Sequence, residues 1–64
     1  MVAWLTVDKN GEEWIFQNEP ILQNGVWYER YVMLPPLECV QVPEGTIEKI
    51  LGYKLTLETS PVEI

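Results

Sequence analysis

Val2-Ala3-Trp4-Leu5-Thr6-Val7-Asp8-Lys9-Asn10-Gly11-Glu12-Glu13-Trp14-Ile15-Phe16-Gln17 is the stretch that decides the fold class. Two apolar runs flank an Asn-Gly pair. That pair is the strongest short-range hairpin signal, because a type I′ turn needs positive φ at both central residues. In the second run Trp14 and Phe16 point to one face of a strand, and Glu13, Ile15 and Gln17 to the other. The chain therefore opens with a β-hairpin.

Outward from it the punctuation continues. A second pair, Asn24-Gly25, separates a short stretch around Ile21-Leu22 from a longer run, Val26 to Leu34. Pro20 has no backbone donor, so the short stretch reads as an edge strand. Pro35-Pro36 stops the long run, and Leu37 to Val42 reads as a further strand rich in β-branched residues. Pro43-Glu44-Gly45 ends it. Thr46 then reads as an N-cap, with Ile47, Ile50 and Leu51 on one face of a short helix over 46–51 and Gly52 as its C-cap. So short a helix persists only by packing its apolar face on the sheet. Tyr53, Leu55 and Leu57 alternate with Lys54, Thr56 and Glu58, the cleanest period-2 pattern in the chain, and predict a C-terminal strand. The tail 59–64 begins with a turn and adds a last extended segment. The expectation is one small α+β domain over residues 1–64: a mainly antiparallel sheet built from hairpins, one short helix on a face, then a C-terminal strand.

The segments Glu13-Trp14-Ile15-Phe16 with Asn18-Glu19-Pro20, and Pro43-Glu44-Gly45-Thr46-Ile47-Glu48-Lys49-Ile50-Leu51-Gly52-Tyr53-Lys54-Leu55-Thr56 with Pro61-Val62-Glu63, carry a likeness. About half of the chain resembles short uncharacterised open reading frames of gut bacteria and their phages, which read roughly W-I-F, then P-x-G-[ST]-I-x-K-[LI]-[LI]-G-x-x-L-T, then P-V-E. The resemblance implies an intracellular, prophage-encoded accessory protein. It attaches no activity. The shared motifs are structural punctuation, and the stretch from Trp27 to Val42 has no part in it.

Composition narrows the functional classes. The 64 residues include no histidine and one cysteine, with ten acidic side chains against four basic ones, a formal charge of −6. The commonest general acid–base and metal-ligating side chain is thus missing. The charge opposes binding to a nucleic-acid backbone or to anionic lipid. Glu29 and Arg30 interrupt Val26 to Leu34, so no run reaches the ~18 apolar residues of a membrane span. Val2 to Val7 is too short for a signal sequence and lacks positive residues before it. A lone Cys39 forms no intrachain disulfide, which fits a cytoplasmic protein. A domain this small buries only ~60% of its unfolded surface, so self-association is a natural route to added stability.

Each candidate site has an ordinary reading beside the sharp one. Asp8-Lys9-Asn10-Gly11-Glu12 has oxygen-bearing side chains at alternate positions, but a calcium loop needs Gly at its sixth position and a bidentate Glu at its twelfth. A hairpin turn held by Asx bonding explains it better. Cys39 has no histidine to activate it, and the neighbouring Glu38 raises a thiol pKa, so it reads as a small buried hydrophobe. The carboxylate pairs Glu12–Glu13 and Glu44–Glu48 read as solvated surface charge, not an acid–base dyad. Within the Val26–Leu34 run, Val26, Tyr28, Val32 and Leu34 share one face with Arg30. Trp27, Tyr31 and Met33 share the other, interrupted by Glu29. A strand with two apolar faces is either covered on both sides by its own chain or meets another one. Trp27, Tyr31 and Met33 are therefore the candidate interface.

No catalytic, cofactor-binding or metal-binding residue emerges, and no small-molecule substrate is identifiable. The expected function is a non-catalytic protein–protein interaction module that self-associates or binds another protein. It makes no direct contact with nucleic acid or membrane. The alternative is an acidic inhibitor that mimics nucleic acid toward a basic enzyme, which requires the carboxylates to share one continuous face. A small enzyme comes third, because no nucleophile, base and stabiliser combine.

Overall fold

In the computed structural model, which describes residues 3–30 and 39–64, the first hairpin forms around Asn10-Gly11, although of that pair only Gly11 has positive φ, so the turn is not type I′. Strand β1 (Trp4–Val7) pairs antiparallel with β2 (Glu13–Phe16), Trp4 opposite Phe16 and Val7 opposite Glu13. The turn is closed by Asp8 N–H to the Glu12 carbonyl at 2.8 Å, and Glu12 N–H to Asn10 Oδ1 at 3.0 Å forms the Asx bond. Strand β3 (Ile21–Gln23) pairs with β4 (Val26–Tyr28) around Asn24-Gly25, both at positive φ. Strand β5 (Cys39–Val42) adds to β2, and β6 (Val62–Glu63) adds to β1, after helix α1 (Thr46–Leu51). The result is a four-stranded antiparallel sheet, β5-β2-β1-β6, with β3-β4 as a separate ribbon. The α+β reading stands.

Register assigns the two faces of the larger sheet. Leu5 lies opposite both Ile15 and Val62, and these pack with Ile47 of the helix and with Leu55. Leu5 and Ile47 are fully enclosed. Phe16, Trp14, Thr6 and Cys39 alternate onto the opposite face, which the β3-β4 ribbon approaches through Trp27. Both faces of β2 are therefore covered.

The ribbon is fastened to the end of β1 by three bonds. Lys9 N–H donates to the Gly25 carbonyl at 2.7 Å, Trp27 N–H to Asp8 Oδ1 at 2.9 Å, and Trp27 Nε1–H to the Val7 carbonyl at 3.1 Å. A Cβ at Gly25 would lie 2.8 Å from Lys9 Cβ, and φ there is 77°. Only glycine lets these two turns meet.

Four expectations need correction. Among the described residues the Val26–Leu34 run is a strand only over β4: Tyr28 pairs with Ile21, the first residue of β3 after Pro20, and Glu29 and Arg30 lie outside the strand. Residues 31–38, and with them Tyr31, Met33 and Pro35-Pro36, lie outside the described residues, so β5 is seen only from Cys39. The period-2 run from Tyr53 to Glu58 is not a strand. The edge of β1 that it would occupy is taken by Val62–Glu63 and, at Val7 N–H, by the Ser60 hydroxyl at 3.0 Å. Of that run only Leu55 is fully buried. Thr46 is not the N-cap. Gly45 holds that position at φ 95° with no side-chain cap of its own. Ile50 is 47% exposed, since a single helical stretch of this length seats only Ile47 and Leu51 on the sheet.

Candidate functional site: an acidic aromatic cleft

Two buried glutamates sit on opposite faces of the sheet region, and their surroundings decide where a site is. Glu13 belongs to β2 and, by alternation, faces the helix. Its Oε2 accepts from Gly45 N–H at 2.8 Å and its Oε1 from Ile47 N–H at 2.9 Å. Thr46 N–H goes to the Pro43 carbonyl at 3.1 Å. The free donors at the start of α1 are thus met by a strand carboxylate thirty-odd positions away in sequence, in place of a local cap. Glu13 is structural, and the expectation that it is solvated surface charge is corrected: it is 8% exposed.

Glu29 follows β4 directly and is 6% exposed, yet among the described residues neither carboxylate oxygen has a hydrogen-bond partner. It helps line a cleft of about 230 Å³ together with Asp8, Glu12, Trp14, Phe16, Val26, Trp27, Tyr28 and Cys39. Four of these nine lining residues, Trp14, Phe16, Trp27 and Tyr28, are aromatic. The Trp14 and Phe16 ring centroids are 6.4 Å apart at 35°. Trp14 Nε1–H is likewise buried without a hydrogen-bond partner among the described residues. Tyr28, 47% exposed, stands at the surface.

Two titratable groups register this setting. Burial pushes the Asp8 carboxyl above its ordinary value, and the nearby Glu12 charge adds to that. The Trp27 N–H bond and the adjacent Trp14 indole pull the other way without prevailing; the indole acts by proximity, since its Nε1–H forms no regular hydrogen bond. Burial also raises the Cys39 thiol, and the Glu29 charge raises it further. A thiol held protonated is a poor nucleophile. The neighbour responsible is Glu29, from another element, whereas Glu38 lies outside the described residues.

Of the candidate interface residues, Trp27 is buried within its own chain at 8% exposure, with its indole bonded to Val7. It serves as an inner wall of the cleft. Glu29, Trp14 and Cys39 have no place in the interface read from the sequence. The signal for Glu29 was the lone acid interrupting an otherwise apolar strand face. Among the described residues no group of three or more acidic, cysteine or histidine side chains is placed to hold a metal. No described helix is long and apolar enough to cross a membrane. No protein-family model matches the chain, and neither does any curated protein or solved structure.

Proposed function

We propose that this protein is a non-catalytic protein-interaction module and that the aromatic cleft beside Glu29 is its contact site. The observation that carries the reading is the buried carboxylate with both oxygens unpaired among the described residues. Such a group costs stability, and native chains keep few of them outside places that work on something else. The cleft wall adds Trp and Tyr, the types that contribute most at protein interfaces. The non-catalytic part rests on a chain without histidine and on a thiol shifted away from its reactive form. Nucleic-acid mimicry is the weaker reading, because Asp8, Glu13 and Glu29 are buried and cannot contribute to an acidic surface array.

Panning a random peptide library against the full chain tests this reading. Selected peptides should shift the amide resonances of Trp14, Trp27, Tyr28 and Glu29 and should lose affinity to a folded Tyr28→Ala variant. Failure to select any peptide sensitive to that substitution overturns the reading.

A further inference from the structure

The chemistry of the cleft specifies what would fill it. Its lining includes Glu29, whose two buried oxygens have no hydrogen-bond partner among the described residues, together with four aromatic side chains and two further acids, Asp8 and Glu12. A metal ion is not provided for, since these acids and Cys39 do not converge into a ligand group. The volume of about 230 Å³ is below the ~300–1,000 Å³ of sites that enclose a whole small molecule, and it suits a single side chain. A carboxylate with both oxygens free matches a planar guanidinium, which donates two parallel N–H bonds and stacks on aromatic faces. An ammonium is a point charge and uses neither the second oxygen nor the flat walls as fully. The whole chain, at −6, favours approach of a basic partner.

We propose that the cleft takes an arginine side chain of a basic partner protein, its guanidinium paired with both Glu29 oxygens and flanked by the Trp14 and Tyr28 rings. This rests on the reading of the cleft as a protein-contact site. The Glu29 oxygens are enclosed in the free chain, so pairing requires the side chain to swing into the cleft that it lines. An arginine seated there supplies the partners the carboxylate lacks.

The peptides selected on the full chain are the test. They should share one arginine, and its replacement by lysine should weaken binding about tenfold, by citrulline more. A Glu29→Gln variant, shown to be folded by its thermal transition, should bind them at least tenfold more weakly. Peptides that need Tyr28 but carry no common arginine, that tolerate lysine in its place, or that bind Glu29→Gln as well as the parent overturn the arginine assignment and leave the contact site standing. Peptides that ignore every cleft substitution overturn both.

Discussion

Glu13 and Glu29 are the same residue type, buried to nearly the same degree, and their surroundings are opposite. Glu13 ends on two backbone N–H groups that no other side chain serves, and it ties β2 to the helix across the core. Glu29 has no hydrogen-bond partner among the described residues. Burial alone therefore does not separate a structural carboxylate from a functional one. The separation lies in whether the lost hydration has been replaced. A satisfied carboxylate supports the fold, whereas an orphan lowers stability.

The contrast breaks most visibly at Glu13. Glu13→Ala strips one buried and one part-buried donor of a charged acceptor, a loss of about 3 kcal/mol. In a domain of this size that is about 12 °C or more in thermal midpoint. Glu13→Gln should lose less, since its amide oxygen still accepts one bond. A variant with the parent's midpoint would show that α1 does not depend on the strand for its cap. At Glu29 the sign reverses. Glu29→Gln keeps the shape and removes an uncompensated charge, so the midpoint should rise, by about 1 kcal/mol in stability. The same substitution should weaken peptide binding. Opposite effects on stability and on binding are the mark of a residue retained for function. A fall in midpoint would place Glu29 with Glu13 as a support of the fold.

The sequence made some of this arrangement legible and hid the rest. Both Asn-Gly hairpins and the helix bounds could be read because each rests on local chemistry: positive φ in the turns and an i, i+4 apolar pair in Ile47 and Leu51. The cap could not, since the Glu13 carboxylate comes from a strand distant in sequence and Thr46 advertises a nearer solution that goes unused. The period-2 run at Tyr53–Glu58 misled for a related reason. Alternation marks a chain able to form a strand, but the edge of β1 had already been filled by Val62–Glu63. Glu29 left a partial trace, an acid where Trp27 called for another apolar neighbour two residues on. That it is buried and unpartnered depends on where the ribbon docks, through Lys9, Gly25 and Trp27, and no local pattern encodes that.

Asp8 stands between the two glutamates. One oxygen holds the Trp27 N–H, and burial still raises the carboxyl above its ordinary value. A raised carboxyl binds its proton more tightly in the folded chain than in the unfolded one. Its protonation therefore stabilises the fold fully below the unfolded value, and this stabilisation is lost as pH rises through the folded one. Asp8→Asn, which keeps an acceptor for Trp27 and carries no charge, should melt higher than the parent at neutral pH. The gap should close as both are acidified through the carboxylate range. A gap independent of pH would mean that the substitution acts through packing and that the Asp8 charge is not the cause.

The smallest effect is also the most direct probe of the Glu29 charge, because Cys39 senses it without taking part in either bond network. The thiol is raised first by burial and then by Glu29. Since the thiolate is the reactive form, Cys39 should be alkylated by iodoacetamide near neutral pH more slowly in the folded chain than in urea. The rate should keep rising with pH beyond the range of an ordinary thiol. Glu29→Gln removes only the electrostatic part, so labelling should quicken yet remain slower than in the unfolded chain, where burial is gone too. An unchanged rate would mean that no effective negative charge reaches the thiol from position 29. The comparison with Glu13 would then reduce to packing, and a guanidinium would have little to recognise. A rate equal to that of the unfolded chain would mean that the substitution had opened the cleft, a result the thermal midpoint of the same variant detects independently.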